Sequence, residues 1–290
     1  MSRFRFVDDH RHLYEVKRLC ELAEVSRSGF YAWKTRPPSS RQVANDELLV
    51  EIRDIHETSR GTYGRPRVCG QLRRRGHQVN HKRVAALMRE AGISGVSNRR
   101  KWRSTGPNRV PAPAPDLLER DFSASRPNER WVADITEFNT GEGRLYLAAV
   151  LDLYARRVVG WAIDSTRTAE LVVDALVMAI SRRDPDEVVH HADRGSQYTS
   201  MRFVDTAYDA GVALSFGTTG DCFDNAAMEA FWSTLKRELA HIHDRTRWTS
   251  RHELRLALFD YIEVFYNRRR HQAGLDHHTP DEHEKLVGAA

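Results

Sequence analysis

The chain has 290 residues, 40% hydrophobic and 29% charged, which is long for one domain and enough to bury more than one core. Its longest apolar run, residues 171–180, is too short to cross a bilayer and contains Asp174. With no apolar leader in the first ten residues, a protein of the cytoplasm and nucleoid is expected, without a membrane span. The net charge of +5 hides a segregation that points to a polyanion partner for the first part of the chain: residues 1–115 hold 24 Lys and Arg against 11 Asp and Glu, the rest 21 against 29.

Residues 13–33 read as a helix, a turn with capping chemistry at Val25-Ser26-Arg27-Ser28-Gly29, and a second short helix carrying Phe30, Tyr31 and Trp33. This is the shape of a helix-turn-helix of which the later part is evident, and residues 1–40 are taken as a partial unit of that kind. Pro37-Pro38 breaks the chain, and a helix over residues 41–57 follows with Leu48, Ile52 and Ile55 at helical spacing. After Tyr63-Gly64-Arg65-Pro66-Arg67 a helix runs to Arg75 and stops at Gly76. A second, capped by Asn80, runs to Ala91 and stops at Gly92. Residues 41–95 thus form a basic helical region, either a compact DNA-reading unit or a plain helical hairpin. Arg65, Arg67, Lys82 and Arg83 are its expected DNA contacts.

Residues 96–127, rich in Arg and with four prolines between Pro107 and Pro115, read as an extended linker. Beyond it the period changes to that of strands, expected at residues 131–138, 145–154 and 158–163. Helices at 169–182 and 201–210 then alternate with strands at 187–192 and 212–216, and helices at 223–240 and 250–266 close the pattern. The expectation is an α/β domain over residues 128–275 with a mixed sheet covered on both faces, and a tail over 276–290.

Three carboxylates stand out. Asp134 interrupts an apolar strand, where an acid needs a partner, a metal or solvent. Asp193 follows the run Val188 to Ala192, at the carboxyl end of a strand, where α/β sheets place ligand groups. Glu229 lies on a late helix in one stripe with Asn225, Trp232 and Lys236, expected to face outward, while Phe223, Ala227, Phe231 and Leu235 pack on the sheet. Oxygen ligands of this kind suit Mg²⁺ or Mn²⁺, and two such ions serve in-line phosphoryl displacement.

The motifs Trp131-Val-Ala-Asp-Ile-Thr136, Gly143-Arg-Leu-Tyr-Leu147 and Asp152-Leu-Tyr-Ala-Arg-Arg-Val-Val-Gly-Trp161 resemble, in order, the catalytic domain of IS3-type insertion-sequence transposases. So do His191-Ala-Asp-Arg-Gly-Ser-Gln-Tyr198, Asp221-Cys-Phe-Asp-Asn-Ala-Ala-Met-Glu229 and Tyr266-Asn-Arg-Arg-Arg-His271. The 35 residues between Asp193 and Glu229 fit the same family, and Thr62 to Arg67, Asn80 to Val84 and Val25 to Trp33 extend the resemblance upstream. The resemblance implies an RNase H-like fold preceded by a small all-α helix-turn-helix-like DNA-binding region. It also implies two divalent ions held by Asp134, Asp193 and Glu229, and DNA cleavage followed by transfer of a 3′-hydroxyl. Lys236 then matches a position that holds DNA near the reacting end, with Asn225 and Gln197 as further contacts. Double-stranded DNA, a homo-oligomer on it, and an upstream-frame protein or fusion segment are the implied partners. The motif has Ala192 where Ser is common and Pro66 where Arg is usual, and neither change removes an acid.

Several residues compete for attention. Asp152 is read as structural, paired with Arg156 or Arg157, and Asp224 as a helix cap. His190 and His191, adjacent on a strand, point to opposite faces and cannot easily grip one ion. Cys20, Cys69 and Cys222 form no CxxC pair, which argues against a zinc site or disulfide framework. Tyr198 and Ser196 lack the base that a covalent nucleophile needs. The rival functions are a DNA-binding regulator that occupies element ends without cutting, and a nuclease of the same fold.

Overall fold

The protein is described from a computed structural model, over residues 3–96, 123–217 and 226–287. Asn225, Cys222, Asp224 and most of the expected linker lie outside the described residues. Two compact units are present, Met1–Glu51 and Ile52–Ala290.

In the first unit, α1 (Arg3–His10), α2 (Val16–Leu22) and α3 (Arg27–Thr35) enclose a small core of Val7, Leu19, Cys20 and Phe30. The Ser26 hydroxyl caps α3 by accepting from the Gly29 amide at 3.0 Å, as the turn residues predict. Helix α1 was not expected. Its apolar residues Phe4, Phe6 and Val7 sit among charges on both sides, and only the contact with α2 and α3 reveals their inward face.

The second unit takes in more than the α/β domain. Helix α4 (Ser40–Thr58) crosses from one unit to the other, and α5 (Arg65–Arg74) and α6 (His81–Glu90) follow it. The Asn80 side chain caps α6 by accepting from the Lys82 amide at 2.8 Å. Five strands then form one sheet: β1 (Arg130–Thr140), β2 (Gly143–Asp152), β3 (Arg157–Asp164), β4 (Val188–Ala192) and β5 (Val212–Phe216), in the order β3-β2-β1-β4-β5. The pairs β1–β2 and β2–β3 are antiparallel, and β1–β4 and β4–β5 parallel, so the sheet is mixed. α7 (Ala169–Arg183) and α8 (Met201–Asp209) cover the face that presents Trp131, Ala133 and Val150. The opposite face, with Val132, Leu147 and Leu151, is covered by α9 (Ala226–Ile242) and α10 (Arg251–Phe259). From Asp260 to Tyr266 the chain continues α10 as wider π-helical turns. The alternation along β1 is the two-residue period of a strand buried on both sides. Gly160 on β3 is the point of closest approach to α7, where a Cβ would collide with the Ala175 carbonyl.

Two differences from the expected organisation have one cause. Residues 276–290 were expected as a tail, but α11 (Pro280–Val287) is fastened to the sheet. Glu284 accepts from both Arg183 terminal nitrogens at 2.9 Å and from Arg157 at 2.6 Å. Residues 60–74, expected in a separate region, are packed on the α/β domain. The Tyr63 hydroxyl accepts from the His271 amide at 2.6 Å, Arg60 pairs with Asp260, and Arg74 donates to the His277 carbonyl at 2.8 Å. Each contact joins residues far apart in the chain and leaves no local trace in the sequence. Among the described residues no helix is long and apolar enough to cross a membrane.

Candidate active site

The sheet register brings two of the three acids together. Trp131 pairs with His190 and Val132 with His191 across the parallel strands; Asp134 lies two residues further along β1, and Asp193 directly follows the last residue of β4. Asp134 shares with Val132 the face of β1 that α9 covers, and the charge of Asp193 is felt there. Asp134 is largely buried, and burial first, then the neighbouring charge of Asp193, pushes its carboxyl up to about 6. Both its oxygens are oriented: Oδ1 accepts from the Ile135 amide at 2.7 Å and Oδ2 from the Trp232 indole nitrogen at 2.9 Å. Asp193 is exposed and accepts from the Gly195 amide at 3.0 Å.

Glu229 is exposed on the first turn of α9, one turn before Trp232. Trp232 does not share the outward stripe expected for it. It is 7% exposed, because the buried face of α9 is broad, running through Met228, Phe231, Trp232, Leu235, Glu238 and Leu239. Among the described residues no three of His, Cys, Asp or Glu are gathered closely enough to hold a metal ion. The donor set is nonetheless all oxygen, which fits a hard divalent cation.

Lys236 is at the same site. Its ammonium lies 5.2 Å over the Phe138 ring and within electrostatic reach of Asp134, and partial burial lowers its proton affinity. Gln197 donates to the Arg167 carbonyl at 3.3 Å, and Arg167 carries charge felt by Asp134. Arg65 and Lys82 are exposed on α5 and α6, and Arg83 is half-buried. Arg67 is turned inward, donating to Glu238 at 3.2 Å. The competing residues are settled by their surroundings. Asp152 is fully buried and accepts from the Asn128 and Tyr154 amides at 2.7 and 2.9 Å, with Arg183 at 3.8 Å, which corrects the pairing expected with Arg156 or Arg157. His190 packs on Tyr198 and Phe203, while His191 bonds Ser215, so the two rings do point apart. Burial holds the Tyr198 phenol well above its usual range, unsuited to nucleophilic attack.

Sequence reasoning missed two groups, Trp232 as the partner of Asp134 and Glu238 as a buried acid. Glu238 is 3% exposed and accepts from Arg270 at 2.7 and 2.9 Å, from the Tyr261 hydroxyl at 2.9 Å and from Arg67. Burial opposes its charge, but the Arg270 and Arg67 guanidiniums outweigh this and hold the carboxyl below its usual range. The position of Glu238, seven residues after Phe231 on one helical stripe, was the available signal.

The comparisons with known proteins place the chain among integrase-type polynucleotidyl transferases. Residues 124–222 and 229–286 match the family described as integrase core domain, and residues 44–101 the HTH-like domain. A 31 kDa protein of insertion element IS600 from Shigella sonnei is 39% identical over 265 residues, covering 90% of this chain and 96% of that one. The transposase InsF of insertion sequence IS3A from Escherichia coli K12 is 36% identical over 289 residues, covering 97% and 98%. Among solved structures, the HTLV-2 integrase catalytic core domain in complex with magnesium is 17% identical. It covers 55% of this chain and 98% of its own, with a TM-score of 0.43. The chain belongs to the IS3 family of insertion-sequence transposases. It is a DNA transposase, and no observation favours the regulator or the nuclease.

Proposed function

We propose that Asp134, Asp193 and Glu229 are the metal-holding carboxylates with which the chain cuts DNA at the ends of an insertion sequence and joins a 3′-hydroxyl to a new site. The observation that carries this reading is the placement of Asp134 on β1 and of Asp193 at the end of the parallel neighbour β4, the charge of Asp193 felt at Asp134, with the indole from the helix of Glu229 donating to Asp134. When bound, two Mg²⁺ ions, with Mn²⁺ as a substitute, supply the positive charge that activates an attacking hydroxyl and stabilises the departing oxygen. Asp134 and Asp193 offer a pre-oriented pair of oxygen donors, and Glu229 completes the set from the first turn of α9. Lys236 holds a DNA phosphate beside them, and Gln197 and Asn225 orient the strand. Arg65, Lys82 and Arg83 bind DNA away from the acids. The active form is a homo-oligomer on DNA, working with a protein or fused segment from an upstream frame.

The test is rejoining of a branched DNA that mimics a strand-transfer product, in Mn²⁺, by wild type and Glu229→Gln. Wild type rejoins the strand and the variant does not; equal rejoining by both removes Glu229 from the site. Trp232→Phe keeps the ring and deletes the donor to Asp134. It is expected to fold and to bind Mn²⁺ about 10–100-fold more weakly, the usual cost of losing an outer partner of a metal ligand. Unchanged Mn²⁺ affinity by titration calorimetry would show the indole bond to be structural only.

A further inference from the structure

On the side of α9 away from Glu229 lies a second site, a cavity of about 540 Å³. Three guanidiniums line it, Arg67, Arg156 and Arg270, against the single carboxylate of Glu238 that holds two of them. The cluster therefore carries an excess of two positive charges. Arg270 spends Nε and Nη2 on Glu238 and Arg67 spends Nη1, which leaves donors on both for a ligand. Arg156 has no carboxylate partner among the described residues, and its guanidinium lies close against Gly274, where a Cβ would stand 2.9–3.1 Å from its atoms. Glycine at that place lets the charge settle on the backbone. The buried Gln272 borders the same cavity, its side chain beside the Tyr266 phenol. Apart from Phe231, the α9 wall is made of small residues, Ala226, Ala227, Ala230 and Thr234.

We propose that this cavity receives a phosphodiester group of the DNA on which the transposase acts. Guanidinium forks match the oxygens of a phosphate, and a donor-lined cavity whose three guanidiniums face one carboxylate suits a strong anion. A helix with its side chains is about 10–12 Å across. The site is thus roughly one helix width from Glu229, near enough for the same DNA molecule to occupy both. The assignment rests on the DNA-joining reading above, and it adds a contact on the opposite wall of α9.

Two variants test it on the full chain, with a branched duplex as probe and a salt series as readout. Arg156→Gln is expected to bind the duplex about tenfold more weakly, with the slope of log affinity against log salt shallower by about one. Thr234→Glu places a carboxylate among the guanidiniums, so its thermal midpoint should equal or exceed that of wild type while DNA affinity falls. A merely structural role for the cluster would not give that opposite pair of changes. Wild-type affinity and salt slope in both variants, with wild type binding and rejoining DNA, overturn this site and leave the transferase reading standing. A folded wild type that neither binds nor rejoins DNA overturns both. Inorganic phosphate that binds wild type in an Arg156-dependent way, with duplex affinity unmoved, overturns the DNA assignment in favour of a free anion.

Discussion

Asp134→Asn is expected to unfold at a higher temperature than wild type in chelator at pH 7, and to rejoin DNA at least about a thousandfold more slowly. The loss follows from removing a metal ligand, the role proposed for Asp134, whose charge stabilisation amounts to several kcal/mol, each 1.36 kcal/mol being about tenfold in rate. The gain follows from burial. The Asp134 carboxyl is raised to about 6 in the folded protein, first by desolvation, with the Asp193 charge adding to it. Between about pH 4 and 6 the native state therefore binds more protons than the unfolded chain, and stability falls as pH rises through that window. By pH 7 the accumulated cost is about 3 kcal/mol. Asparagine avoids it but cannot accept from both the Ile135 amide and the Trp232 indole, which costs about 1 kcal/mol. A net gain of about 1–2 kcal/mol remains at pH 7, and it should vanish at pH 4, where the wild-type acid is neutral. Denaturation curves at the two pH values decide the matter, since a difference that does not depend on pH would mean that Asp134 is not the group being relieved.

Glu238→Ala should produce the largest loss of stability of any single change outside the site, about 3–5 kcal/mol, because Arg270 is left charged and buried with nothing to compensate it. The cost is sharpened by the Tyr261 hydroxyl, which loses its acceptor, and by Arg67, which loses the bond that ties α5 to α9. The folded carboxyl is held below its usual range, so its contribution is fully present above the unfolded value of about 4.5 and fades as pH falls through the folded one. Replacing the pair together, as Glu238→Leu with Arg270→Met, should recover most of the loss, since a well-packed apolar substitute for a buried ion pair is often neutral. Urea denaturation of the single and double variants gives the comparison. A single variant within about 1 kcal/mol of wild type would mean that solvent reaches Arg270 after all.

Much of the sheet was legible because strands buried on both faces announce themselves by composition and length. Asp134 and Asp193 were legible for a related reason: an acid is conspicuous in or beside an apolar run, and the parallel pairing of β1 with β4 then brings their charges within reach of each other. The first turn of α9 was only half legible. A helical period gives the angle between residues but not which stripe faces inward, so Trp232 was assigned outward with Glu229 and turned out to bond Asp134. What was hidden altogether joins residues about 100 to 200 positions apart. Asn267 is an example: its side-chain amide donates to the Val158 carbonyl at 2.9 Å and accepts from the Val158 amide at 3.0 Å, serving the edge strand β3 as a missing neighbour would. Nothing near Asn267 in the chain hints at it. The pairs Tyr63 with His271 and Arg74 with Glu282 are of the same kind, each linking two motifs that read as separate.

Those pairs also order events during synthesis. Residues 60–74 leave the ribosome about 200 residues before the partners that fasten them, Asp260, His271, His277 and Glu282. At about 5–20 residues per second, that interval is roughly 10–40 s. Through it Arg60, Tyr63 and Arg74 lack these later partners, and Asp134 lacks the helix that supplies Trp232. A nascent chain can thus hold its charged segment free long before it holds a cutting centre, and the two become one body only as α11 emerges.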